Sequence, residues 1–139
     1  MDVTATRNFA ASPEQVARVM FDPKRDPEWI GGAKSVDPPT GDPTRVGARV
    51  TRRGGFMGRK FSWQTEVEGF EPYHLLRMRF VEGPMKGGSV TNRIEPNGKG
   101  TAVSIRNTGP GPQLLAWLVK RSVRNDLDRL ARIVERHGQ

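Results

Sequence analysis

Asp126 falls in the middle of an apolar helix face. At 100° per residue, Leu115, Val119, Val123, Leu130, Ile133 and Val134 share one arc of the C-terminal segment, with Asp126 near its centre and Ser122 one turn earlier. A carboxylate buried there needs a cation or several hydrogen-bond donors. The inward phases of the first and third strands offer Arg7 and Arg52 for that purpose. Asp126 is then either a polar anchor or acid/base group on the wall of an interior site, or one half of a structural ion pair.

Thr65 and Asn92 are the second set of unexpected polar residues, both on the inward phase of their strands. Burying a hydroxyl or an amide without a partner costs about 1–3 kcal/mol. Each is therefore satisfied by backbone, by water, by the other, or by a bound molecule.

The remaining residues assemble no conventional catalytic centre. There is no cysteine, which excludes a disulfide, a thiol nucleophile and a thiolate metal site. The two histidines are His74, in a predicted turn, and His137, at the end of the last helix, too few for a triad or a histidine-rich metal centre. No metal and no cofactor is expected. Gly54-Gly-Phe-Met-Gly58 and Gly109-Pro-Gly-Pro112 lack the lysine and the strand-to-helix setting of phosphate loops, and Glu66, Glu68 and Glu71 fall on an outward face. Any reaction would have to be promoted by the shape of a cavity, helped by Arg, Asp or Ser.

The formal net charge is +8, and six basic residues with no acid lie between Asp42 and Glu66: Arg45, Arg49, Arg52, Arg53, Arg59 and Lys60. The glycines from Arg53 to Gly58 read as a hairpin turn with Phe56 and Met57 at its tip. Arg52, Arg53, Phe56, Met57, Arg59 and Lys60 form a candidate contact surface for an anionic membrane or a protein partner, or simply a solvated basic hairpin. Nucleic acid is disfavoured, because interleaved exposed aromatics would be expected and the aromatics here are predicted to point inward.

A chain of 139 residues fits a single domain, 1–139. Its 35% apolar share and mean hydropathy of −0.63 are low for a solidly filled core, and a partly hollow interior would need fewer apolar residues. The opening MDVTATRNF has no apolar stretch of the export-signal kind, and the longest apolar run, Leu114 to Val119, is six residues, so a cytoplasmic protein is expected.

The elements that must position these residues follow from local pattern. Residues 2–10 alternate as a strand, and Ser12, Pro13 and Gln15 make a capping box that starts a helix at Pro13. Asp22-Pro23 stops that helix, and a second short one is predicted over Pro27–Gly31, carrying Trp29. Val36 to Pro43 reads as a short strand and a loop. Further strands follow around 46–51, 61–67, 76–80, 90–94 and 103–105, with a helix of roughly 26 residues, about 39 Å, from Pro112 to about His137. Short connections favour an antiparallel meander, and the whole is an α+β arrangement. Alternation places Phe61, Trp63, Thr65, Leu76, Met78 and Phe80 on one face, joined by Val90, Asn92, Ile94, Val103 and Ile105.

The order of elements, with "FAASPEQVARVMFDPKRDPEW", "FSWQTEVEGFEP", "IEPNGKGTAVS" and "NDLDRLARIVE", resembles the START-like SRPBCC superfamily, in particular its polyketide cyclase/dehydrase branch. Ser12 stands where that superfamily often has alanine before the proline. The resemblance implies a helix-grip fold: a curved sheet of about seven strands wrapped around the long C-terminal helix, with two short helices after the first strand and a cavity between sheet and helix. It implies binding or transport of a small hydrophobic ligand, lipid- or polyketide-like, with a cyclase/aromatase-type enzyme and an interaction module built on the basic hairpin as alternatives. On that reading Trp29, Trp63, Thr65, Met78, Phe80 and Asn92, together with Ile105, Ser122 and Asp126, would meet the ligand. Trp29 would gate the mouth or pack the short helices onto the sheet, and Asp126 is the one candidate for acid/base chemistry.

Overall fold

The computed structural model describes residues 1–137. Seven strands form one antiparallel sheet in the order β1-β7-β6-β5-β4-β3-β2. They are β1 (Asp2–Phe9), β2 (Ala33–Val36), β3 (Arg49–Phe56), β4 (Arg59–Glu71), β5 (Leu75–Glu82), β6 (Ser89–Asn97) and β7 (Gly100–Thr108). Bulges in β4 between Gln64 and Thr65 and between Val67 and Gly69 let its thirteen residues bend, and the sheet curls around the C-terminal helix.

Helix α1 (Pro13–Met20) begins where the capping box predicts. Ser12 Oγ accepts from the Gln15 amide at 3.2 Å, and Gln15 Oε1 accepts from the Ser12 amide at 2.8 Å. Val16, Ala17, Val19 and Met20 are buried beneath it. Asp22 caps a single 3₁₀ turn, Pro23–Arg25, which runs straight into α2 (Asp26–Trp29). The second short helix thus sits earlier than Pro27–Gly31, because its first residue, Asp26, is held from inside the protein. The fully buried Thr101 hydroxyl donates to the Ala11 carbonyl at 2.5 Å and pins the start of α1 to β7.

Two strand boundaries differ from the sequence pattern. The short strand lies before Val36 rather than after it, since Asp37, Pro38 and Pro39 cannot extend a ladder. Strand β3 runs on through Arg53 to Phe56 and β4 starts at Arg59, so the ladder zips further than the glycines suggest and leaves only Met57 and Gly58 as the turn, both at positive φ (53° and 80°). Gly54 and Gly55 stay in the strand because β2 crosses them closely: a Cβ on Gly54 would lie 1.8 Å from the Gly32 carbonyl oxygen.

A 3₁₀ turn (Gln113–Leu115) precedes α3 (Ala116–His137), which is 22 residues long rather than 26. Only its later part is sealed: Val123, Leu127, Leu130, Ala131 and Val134 join α1, Trp29 and the inner face of the sheet in one core. Leu127, outside the predicted arc, is 1% exposed, whereas Leu115, inside it, is 43% exposed. The connections β3–β4, β5–β6 and β7–α3 share one end of the sheet; β4–β5, β6–β7 and the β1–α1 junction share the other.

Candidate functional site

The inner face carries a buried ion pair. Arg52, on β3, donates from Nε to Asp26 Oδ2 at 2.5 Å and from a terminal nitrogen to Thr65 Oγ1 at 2.7 Å. Its place is the inward phase of its strand, so Arg52 does not belong to the exposed basic surface on which its hairpin neighbours stand, nor does it serve Asp126. Burial pushes the Asp26 carboxyl up, and the Arg52 charge opposes that push. Thr65 thus spends its hydroxyl on Arg52.

Asp126 works at the junction of α2 and α3. Its Oδ1 accepts from the Gly31 amide at 3.0 Å and pairs with Arg129 one turn along the same helix. Arg129 in turn donates to the Trp29 carbonyl at 2.9 Å. Arg7, the other expected partner, pairs with Asp128 instead. Burial raises the Asp126 carboxyl to about 6, against the lowering pull of the Gly31 bond and Arg129. Ser122 is half-buried one turn earlier.

Trp29 is not at a rim: it is 2% exposed and packed in the core. Its indole Nε1 and the Asn92 Oδ1 are the two buried side-chain polar atoms that have no hydrogen-bond partner among the described residues. One is a donor, the other an acceptor. Their types had marked both residues, but nothing in the pattern could show that these atoms go unpaired.

The wall between them and solvent changes along its length. Met78 and Ile105 are buried in the closed part of the core. Phe61, Trp63, Phe80 and Val90, nearer the β3–β4 end, are only half-buried, and Phe61 and Trp63 pack at 5.5 Å between ring centroids. On α3, Val119 and Ser122 are likewise half-buried. The inner face is thus apolar for most of its length, buried toward α1 and half-buried toward the hairpin, with a few polar side chains among the apolar ones. Outside, a depression of about 740 Å³ is lined by Gly31, Lys34 and the hairpin from Arg53 to Ser62, where Arg53, Arg59, Lys60, Phe56 and Met57 stand exposed.

Comparison with known proteins places the chain in context. A family model described as polyketide cyclase / dehydrase and lipid transport matches residues 1–135. The fold is similar to the crystal structure of TTHA0849 from Thermus thermophilus, at 26% identity over 100% of both chains and a TM-score of 0.76. It is also similar to MLL2253 from Mesorhizobium loti (19% identity, 98% of each chain, TM-score 0.77). DynU16, a protein of the dynemicin biosynthetic locus, matches at 22% identity and a TM-score of 0.73 over 96% of this chain, which spans 47% of DynU16. No curated protein matches the chain in sequence.

Proposed function

Because this chain belongs to the polyketide cyclase/dehydrase and lipid transport family, we propose that it binds or carries a small hydrophobic molecule, lipid- or polyketide-like, between sheet and α3. The observation that carries the reading is the pair of buried polar atoms without a partner among the described residues, Trp29 Nε1 and Asn92 Oδ1, in an interior whose other buried polar side chains, Arg52, Asp26, Thr65, Thr101 and Asp126, are all hydrogen-bonded. Apolar walls with a few placed polar groups are how small-molecule sites combine affinity with orientation. A ligand with a hydroxyl or carbonyl at one end accepts from the indole N–H, and a hydroxyl can also donate to the amide oxygen. The half-buried rings of Phe61, Trp63 and Phe80 supply its apolar contact.

Native mass spectrometry of protein purified from its own source tests this by looking for a co-purifying small molecule, backed by titration with oleate and with an aromatic polyketide. Trp29→Phe and Asn92→Leu should each weaken saturable binding about threefold to tenfold, the worth of one hydrogen bond. A protein that arrives empty and saturates with neither probe would falsify the reading.

Cyclase/aromatase-type catalysis is the second reading, favoured by a positive charge buried against the same interior. The Arg52 guanidinium, fixed by Asp26 and Thr65, could polarise a ketone oxygen, with Asp126 as the alternative acid/base group. Turnover of a linear poly-ketone that survives in Asp126→Asn but falls in Thr65→Val would place the chemistry at Arg52. Absence of turnover in the wild type removes this reading and leaves the carrier.

A further inference from the structure

Among the described residues, five of the seven large apolar side chains that stand exposed collect at one end of the sheet. Phe56 and Met57 form the β3–β4 tip, with Met57 71% exposed; Leu114, Leu115 and Trp117 form the 3₁₀ turn and first turn of α3, at 74%, 43% and 61%. Val46 and Tyr73 lie at the opposite end. The register puts the two clusters at the same end of the sheet: β3 and β4 close at Phe56↔Arg59, and β7 ends at Thr108 opposite Ser89, where the β5–β6 loop lies.

Basic residues border both clusters. Arg59 and Lys60 follow the hairpin tip. On α3, Trp117, Arg121 and Arg124 recur at i, i+4 and i+7 on one outward face, with Lys120 beside them. Among the described residues none of these five cations has a carboxylate within ion-pair distance. Arg53 is tied to Asp37 at 3.0 Å, and of the acids nearby Asp2 is bound by Arg106 at 2.7 Å.

We propose that this end of the molecule docks on an anionic lipid bilayer, the hairpin tip and the start of α3 both inserting. Three of the five side chains, Met57, Leu114 and Leu115, are aliphatic and offer bases nothing to stack on while suiting hydrocarbon, which argues for lipid over nucleic acid. A tryptophan above a basic helix face suits the headgroup boundary, where the indole ring is half in hydrocarbon and half in water. The proposal stands on exposed side chains alone and does not rest on the ligand reading. Where both hold, the half-buried end of the inner face lies toward the membrane.

Co-sedimentation with phosphatidylcholine vesicles, with and without roughly 30 mol% phosphatidylserine, tests it. Binding should require phosphatidylserine and fade as salt rises to about 0.5 M. Arg121→Glu with Arg124→Glu should lower partitioning by at least about tenfold, since each basic residue near such a surface is worth about fivefold. Met57→Ser with Trp117→Ser should weaken binding without moving the thermal midpoint, because both positions are exposed. No binding to the anionic vesicles, equal binding to neutral ones, or variants that bind as well as the wild type would overturn the proposal. Retention of the protein on a DNA duplex with vesicle binding absent would overturn it too and assign the surface to nucleic acid.

Discussion

Arg52 Nε meets Asp26 Oδ2 at 2.5 Å with 6% and 4% of the two side chains exposed, so that a charge on β3 holds the first residue of α2 from inside the protein. Removing one member strands the other as a buried, unpaired charge, which costs about 3–5 kcal/mol. Asp26→Ala should lose stability on that scale. Asp26→Leu combined with Arg52→Met should recover most of the loss, because both desolvation penalties vanish together. Urea unfolding of the four members of the cycle measures this, and additive losses would show that the two groups do not depend on each other.

Asp126 makes stability depend on pH in the direction opposite to an ordinary ion-paired carboxylate. Its folded pKa of about 6 exceeds the ordinary value of 3.8, so the folded chain holds this proton more tightly than the unfolded one. Below the unfolded value the group makes no pH-dependent difference. As pH rises from the unfolded value to the folded one, the unfolded chain ionises first and about 3 kcal/mol of stability is lost, the loss being complete once pH passes the folded value. Asp126→Asn keeps an oxygen for the Gly31 amide and removes the ionisation. Relative to wild type, the variant should therefore gain stability between about pH 4 and pH 7. Parallel stability-versus-pH curves for the two proteins would contradict this account.

Local features were legible in the sequence and long-range ones were not. The Ser12–Gln15 capping box and the alternation of Phe61 to Val67 depend on neighbours in the chain, and both appear where the pattern puts them. Arg52 carried two contradictory signals: its strand phase pointed inward while its basic neighbourhood suggested surface, and phase decided because a side chain in a strand has only two directions to choose from. Asp26 went unmarked because its partner is 26 residues away and Asp22-Pro23 and Pro27 around it read as a turn. The expected partners of Asp126 were wrong for a related reason. Helix phase gives the face a residue occupies but not which strand or loop crosses it, and here the contact is the backbone of Gly31.

Gly54 permits β2 to lie against β3. A methyl group there would stand 1.8 Å from the Gly32 carbonyl oxygen, a backbone atom that cannot swing aside. Gly54→Ala should prise Ala33 from its place opposite Gly54 and cost about 1–3 kcal/mol, as overpacking does. Gly31 and Gly32 lead directly from α2 into β2, so the disturbance should reach Trp29. Its buried indole should then become accessible to a soluble quencher, judged against a Trp63→Phe, Trp117→Phe background. Unchanged quenching in Gly54→Ala would mean that β2 and α2 move independently.

Asn92 separates a binding role from a structural one. Its Oδ1 is buried without a partner among the described residues, which costs the empty protein about 1–3 kcal/mol relative to an apolar side chain of similar size. Asn92→Leu should therefore raise the midpoint of the empty protein, while a residue kept for structure would lower it on replacement. The same substitution should weaken oleate or polyketide binding, because the oxygen that would orient the ligand is gone. A stabilised variant with diminished binding is the signature of a residue that serves the ligand at the expense of the fold. A variant that loses stability and binds as before would put Asn92 among the structural residues and take away half of the evidence for the interior site.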